Sequence, residues 1–345
     1  MTGVAGQAIW PGHDPLAAQL QALDGLGGPP FGVTAYPSFV QLPGRGPGAD
    51  LLGRTLALLE GMPTELGLHG WKMAQHKGID LERAQTFLAQ DLEAISIAGA
   101  GYTGELTLGL IGPWTLAATL YLNTGDRILT DPGAVRELSQ ALSDAAQTHI
   151  AQVRERVPGA TLTVQFDETL IGQVAAGVIP TFSGYSRIRS VTGITLVERM
   201  KPVIAATKAG GAKTIVHVGQ AFSGIAPVVH AKADSFGMDF VPGASWNEPG
   251  WELIARALEK DMGLWANLPA PVFSRCSGPD LKQLIDLVMV GWSRIGIADK
   301  DLNKLIVAQS KAGARQAFQG GEDAISGSTE TLMKVAEHLA ERAAQ

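Results

Sequence analysis

Short runs of apolar and β-favouring residues recur along the chain, separated by longer stretches whose apolar positions repeat with a helical period. The runs are GVAGQAI (3–9), TELGLHG (64–70), ELTLGLI (105–111), TLTVQFD (161–167), KTIVHV (213–218), SFGMDFV (235–241), GLWANL (263–268) and LIVAQS (305–310). Between them, DLERAQTFLAQDLEAISIA sets Leu81, Ala84, Phe87, Leu88, Leu92 and Ile95 on one face of a helix. PGAVRELSQALSDAAQTHIAQVRERV (132–157) sustains the same pattern. Further helices are predicted over 192–209, 246–260, 279–295 and 329–343. Strands that alternate with helices predict a parallel α/β fold, and a set of eight singles out the closed (βα)8 TIM barrel, here one domain over 1–345. An open doubly wound sheet is the alternative, but GVAGQAIWPG continues into Trp-Pro-Gly and gives no dinucleotide-binding turn. Two segments exceed a minimal barrel: 10–63, with the Pro/Gly-rich QLPGRGPGADLLGR, and 168–192. Both are expected to be extended loops at the catalytic face.

Composition narrows the function classes. With 46% hydrophobic and 17% charged residues, the 345-residue chain has enough apolar content for a large core. A formal charge of -6, with no basic run, argues against a nucleic-acid partner and for a small-molecule substrate. The single Cys276 forms no internal disulfide, the N-terminal stretch lacks the order of a signal peptide, and no apolar run is long enough to span a bilayer. The expectation is a cytoplasmic protein with no membrane partner; its oligomeric state is not legible.

In a βα barrel the active site is assembled at the carboxyl ends of the strands, so polar residues there carry the most information. They are Gly112-Pro113-Trp114-Thr115, Asp167-Glu168, His217, Asp239, Asn267 and Gln309-Ser310. Adjacent strand residues face opposite ways, so only one of Asp167 and Glu168 looks into the mouth, and the inward pattern favours Asp167. His217 reads as a metal ligand, a proton carrier or a core histidine. Trp114 reads as core or pocket wall. Arg45 in LPGRGPGAD offers a fork for a carboxylate or phosphate. Cys276, in PAPVFSRCSGPD, is a plain loop cysteine, a substitute sulfur ligand or a nucleophile in its own right.

LIGPWTLAA, LTVQFDETL, TIVHVGQ, FGMDF and LIVAQSKAG, in that order, resemble the catalytic barrel of cobalamin-independent methionine synthase, within the superfamily that includes uroporphyrinogen decarboxylase. The closest likeness is to its short single-barrel relatives, which share the RGPGAD segment and a pair like Gly70-Trp71. The resemblance implies a methyltransferase in which zinc activates a thiol for attack on a methylated folate. It implies zinc ligands at His217, position 219, Asp239 and position 310, and an Asp167 that holds a substrate amino group. Here Gly219 and Ser310 stand where the family has cysteines, and Thr169 replaces the proline after the acidic pair. Two remaining ligands do not make a stable zinc site, so no stoichiometric zinc is expected. The leading expectation is a methionine-synthase-like methyltransferase with a degenerate zinc site, in which His217, Asp239 and Asp167 are catalytic and Glu168, Trp114, Arg45, Asn267 and Ser310 also line the substrate site. The alternatives are a metal-free lyase or decarboxylase-like enzyme, and a ligand-binding paralogue without turnover.

Overall fold

The computed structural model describes residues 1–240, 248–269, 278–310, 314–315, 318–319 and 321–345. Eight parallel strands make up its main sheet: β1 (Thr2–Ala5), β2 (Val33–Tyr36), β3 (Glu105–Ile111), β4 (Thr161–Asp167), β5 (Lys213–His217), β6 (Ser235–Asp239), β7 (Gly263–Leu268) and β8 (Leu305–Gln309). Each of β3 to β8 pairs with the next, and β8 pairs with β1, which pairs with β2. The sheet closes between β2 and β3, where Phe39 donates its backbone N–H to Thr107 O at 2.8 Å and Thr107 donates to Pro37 O at 2.8 Å. Closure removes the exposed edges that an open sheet would leave. The fold is a (βα)8 TIM barrel.

The sequence pattern explains the layers. Strand residues of one parity, such as Leu106, Leu108, Leu110, Val164, Phe166, Val216, Phe236 and Met238, pack outward into the main core beneath the helices. Residues of the other parity fill the barrel, where Ala5, Ile215, Trp265, Ile306 and Ala308 form a separate cluster with Tyr36 against it. The Tyr36 and Trp265 rings meet edge-on at 5.2 Å. Gly3 makes this packing fit, since a Cβ there would lie 2.8 Å from both Tyr36 and Ile306. The helices needed here are α1 (Pro15–Asp24), α2 (Leu51–Leu58), α3 (Ile79–Ala98), α4 (Pro113–Thr119), α5 (Pro132–Arg156), α6 (Ile171–Ala176) and α7 (Gly193–Ala209).

The number of barrel strands agrees with the sequence pattern, but one assignment does not. The 64–70 run is not a barrel strand: Thr64–Gly67 pairs antiparallel with Gly70–Met73 in a separate hairpin. The second barrel strand is VTAY at Val33–Tyr36, inside the segment expected to be a loop. That segment, 10–63, also contains α1 and α2, and 168–192 contains α6. The hairpin tip joins two other βα connections, because His69 packs edge-on against Phe182 at 5.1 Å and lies 6.4 Å from the ring of Tyr121. No helix among the described residues is long and apolar enough to cross a membrane.

Candidate active site

Strand register brings the sequence-predicted polar residues to one end of the barrel. Asp167 pairs with His217, His217 with Gly237, and Asp239 with Asn267, while Ser310 donates its backbone N–H to Leu268 O at 2.8 Å. Asp167, His217, Asp239, Asn267 and Ser310 therefore share the inward parity at the carboxyl end, where barrel enzymes place their chemistry. All five are buried, at 2 to 8% exposure.

The tightest contact is between His217 and Asn267, whose Nδ2 lies 2.6 Å from Nε2 of the ring. With the ring proton on Nδ1, the amide donates and Nε2 accepts. Oδ1 of Asp239 is 3.4 Å from the same Nε2. This oxygen is buried and has no hydrogen-bond partner among the described residues. Gly237 makes room for the imidazole, since a Cβ there would lie 2.8 Å from its Cδ2. Asp167 Oδ1 accepts from Thr169 N–H at 3.2 Å, which shapes the turn after β4.

Three expected substrate residues are placed elsewhere. Glu168 faces away from the mouth and is fully buried; its carboxylate accepts the N–H of Trp114 at 2.9 Å and of Thr115 at 2.7 Å. It thus satisfies the free N–H groups at the start of α4, and Gly112 leaves the space, because a Cβ there would sit 2.4 Å from Glu168 Cγ. Burial pushes the Glu168 pKa up from 4.5 to about 7; the two backbone hydrogen bonds pull against this, and the neighbouring Asp167 charge adds to it. Trp114 is 2% exposed, and its indole N–H donates to Leu196 O at 2.9 Å, so it locks α4 to α7 and does not wall the mouth.

Arg45 is held by Asp91 of α3 at 2.6 Å, and its guanidinium stacks over Phe87 at 4.8 Å. The second oxygen of Asp91 takes Arg54 at 2.8 Å, and Arg54 also donates to the carbonyls of Phe39 and Val40. With Arg45 and Asp91 side chains only 5% and 4% exposed, this buried ion triad fastens the loop after β2 to the helical layer. The Arg45 guanidinium thus faces Asp91 and Phe87 in the helical layer. A residue missed in the sequence is Gln7, two positions beyond β1 at inward parity, whose Nε2 donates to Ile9 O at 2.7 Å and whose Oε1 is buried without a partner among the described residues. Its signal was its parity with Gly3 and Ala5.

The donor set does not fit the zinc that the resemblance implies. Gly219 offers no side chain, and its φ of +63° lies in the left-handed region where a cysteine would be strained. Ser310 supplies a hydroxyl in place of a thiolate, and Nε2 of His217 is already engaged by Asn267. Among the described residues, no group of three or more His, Cys, Asp or Glu side chains is disposed to hold a metal ion. Cys276 lies outside the described residues.

No protein-family model matches the chain, and no curated protein matches it in sequence. Among solved structures, it is similar to a B12-independent methionine synthase from Shewanella sp. W3-18-1 in complex with selenomethionine, at 13% identity and a TM-score of 0.50, over 79% of this chain and 70% of that one. It is also similar to an L-ribulose 3-epimerase, at 12% identity and a TM-score of 0.44, over 99% and 96% of the two chains. A third likeness is to the catalytic domain of an endo-beta-1,4-mannanase from Bacillus sp. JAMB-750, at 11% identity and a TM-score of 0.41, over 83% and 90%. The first of these likenesses agrees with the barrel that the strand topology defines, and none of them carries the chemistry, which is left to the site.

Proposed function

We propose that the chain is a barrel enzyme acting at the mouth lined by Asp167, His217, Asp239 and Asn267. Its reaction would be methyl transfer from a folate-like donor to the thiol or amine of an amino-acid acceptor, without a thiolate-held metal. The observation that carries this reading is the inward convergence of these polar side chains from consecutive strands, with one buried carboxylate oxygen of Asp239 left without a donor among the described residues. In this reading Asp167 holds the acceptor's amino group. Asp239 takes the proton that the acceptor loses as its new bond to carbon forms, and the donor's nitrogen, protonated by solvent before its bond to the methyl group breaks, leaves as a neutral amine with that electron pair. The His217–Asn267 pair is a positioning element that fixes the ring beside Asp239.

A metal-free lyase or decarboxylase-like reaction is the second reading, favoured by the commitment of His217 Nε2 to an amide instead of an open coordination position. The test is incubation with isotopically labelled methyltetrahydrofolate and a panel of amino-acid thiols and amines in chelator-treated buffer. Label should appear on an acceptor with the wild-type protein and not with Asp167→Asn. Absence of transfer to every acceptor would refute methyl transfer, and release of carbon dioxide from a carboxylated substrate would establish the second reading.

A further inference from the structure

Among the described strand residues that face inward at the carboxyl half of the barrel, the charged side chains are the carboxylates of Asp167 and Asp239, with no lysine or arginine. Within this set Asp239 is distinctive. It is 8% exposed, its Oδ1 lacks a hydrogen-bond donor among the described residues, and its two polar neighbours are already joined to each other. A buried carboxylate oxygen left in this state costs free energy that a ligand bearing N–H groups recovers. His217 Nε2 is 3.4 Å away and, with the ring proton on Nδ1, acts as acceptor in its contact with Asn267.

We propose that Asp239 Oδ1 is the seat of a primary ammonium group on the ligand, with the His217–Asn267 pair as the wall beside it. A primary ammonium supplies a full positive charge and three N–H donors to an acceptor-rich site, whereas a thiol is a weak donor and a carboxylate or phosphate meets only like charge. A metal ion is a poor occupant because Asp239 is the one anionic ligand of the pair and the imidazole lone pair is taken. The proposal relies on the reading above only in placing the ligand at this mouth. It adds to that reading a cationic nitrogen at Asp239, beside the amino group that Asp167 holds.

The test uses the full chain, titrated with butylammonium chloride and, at matched ionic strength, with tetramethylammonium chloride, which has the charge but no N–H donor. Binding is read from the thermal midpoint and from the ring signals of His217 in histidine-labelled protein. The expected result is saturable binding of butylammonium at least about tenfold tighter than of tetramethylammonium, with movement of the His217 ring signals. Asp239→Asn should weaken butylammonium by about tenfold or more, whereas Asp239→Glu, which keeps the charge, should retain the preference over tetramethylammonium. Equal binding of the two cations, no saturable effect of butylammonium, or an unchanged affinity in folded Asp239→Asn would overturn the proposal. So would saturation of the same His217 signals by zinc chloride at one ion per chain. Loss of butylammonium binding in Asp167→Asn but not in Asp239→Asn would overturn it while leaving the assignment of Asp167 intact.

Discussion

His149, on α5, offers a sharp energetic test of the packing beneath the barrel. It is fully buried, neither ring nitrogen has a hydrogen-bond partner among the described residues, and its ring lies 5.6 Å from that of Phe39. Burial lowers its pKa from 6.5 to about 3, with the buried Arg54 charge adding to the effect. A histidine kept neutral in the folded state contributes stability that is present above its unfolded pKa and lost as the pH falls towards 3. Between about pH 7.5 and about pH 5 the linkage relation gives a loss of about 2 kcal/mol from this residue. Glu168 acts in the opposite direction. Its pKa is raised to about 7, so its contribution is fully present below 4.5 and lost as the pH rises through 7. Over the same interval it gains about 2 kcal/mol on acidification, so the two groups nearly cancel and the wild-type stability curve is expected to be flat there. Substitution exposes the balance. His149→Leu removes two unsatisfied nitrogens, so it should be at least as stable as the wild type at neutral pH, and it should gain about 2 kcal/mol on going to about pH 5. Urea unfolding of both proteins at both pH values measures the double difference, in which titrations common to the two proteins cancel. A double difference near zero would refute the placement of His149 as a buried neutral ring.

Other substitutions probe the site and its supports. Glu168→Gln should reverse the sign of the His149 effect, making the protein lose stability by about 2 kcal/mol relative to the wild type as the pH falls from about 7.5 to about 5; the same urea titrations read it. Arg45→Ala should destabilise by about 1–3 kcal/mol, because Asp91 retains Arg54, and Asp91→Ala by about 3–5 kcal/mol, because it strands two guanidinium groups. Arg45→Ala should leave ligand affinity at the mouth unchanged in calorimetric titration. Gly219→Ala has ordinary contacts of 3.5 Å or more around the new methyl group, so its cost is the backbone strain at φ +63°. That strain is about 1–2 kcal/mol, measurable by thermal unfolding.

The barrel was legible because its strongest strands, TLTVQFD, ELTLGLI and LIVAQ, combine β-branched residues with short length and regular spacing. VTAY escaped because a four-residue strand has too few positions to show a period, and the Gly and Pro around it read as loop. TELG shows the converse: its local signal for extended structure is correct, but whether a strand joins the barrel or a hairpin depends on its partner, which periodicity does not encode. The inward parity of Asp167 followed from alternation alone, and alternation likewise sends Glu168 outward. Its task at α4 is visible afterwards in Gly112-Pro113, a helix start with no side-chain cap of its own. The Arg45–Asp91–Arg54 triad and the bond between His217 and Asn267 join residues 37 to 50 positions apart, and residue type gives no cue to such pairings.

Zinc content tests most directly whether the mouth works through its own polar side chains. The protein would be produced in zinc-supplemented medium, dialysed against zinc-free buffer, and analysed for metal alongside His217→Ala. The predicted result is far less than one zinc per chain in the wild type and no change in His217→Ala, because Gly219, Ser310 and the Asn267-bound imidazole leave Asp239 without partners for the ion among the described residues. About one zinc per wild-type chain, lost in His217→Ala, would contradict it and return the site to metal-activated thiol chemistry.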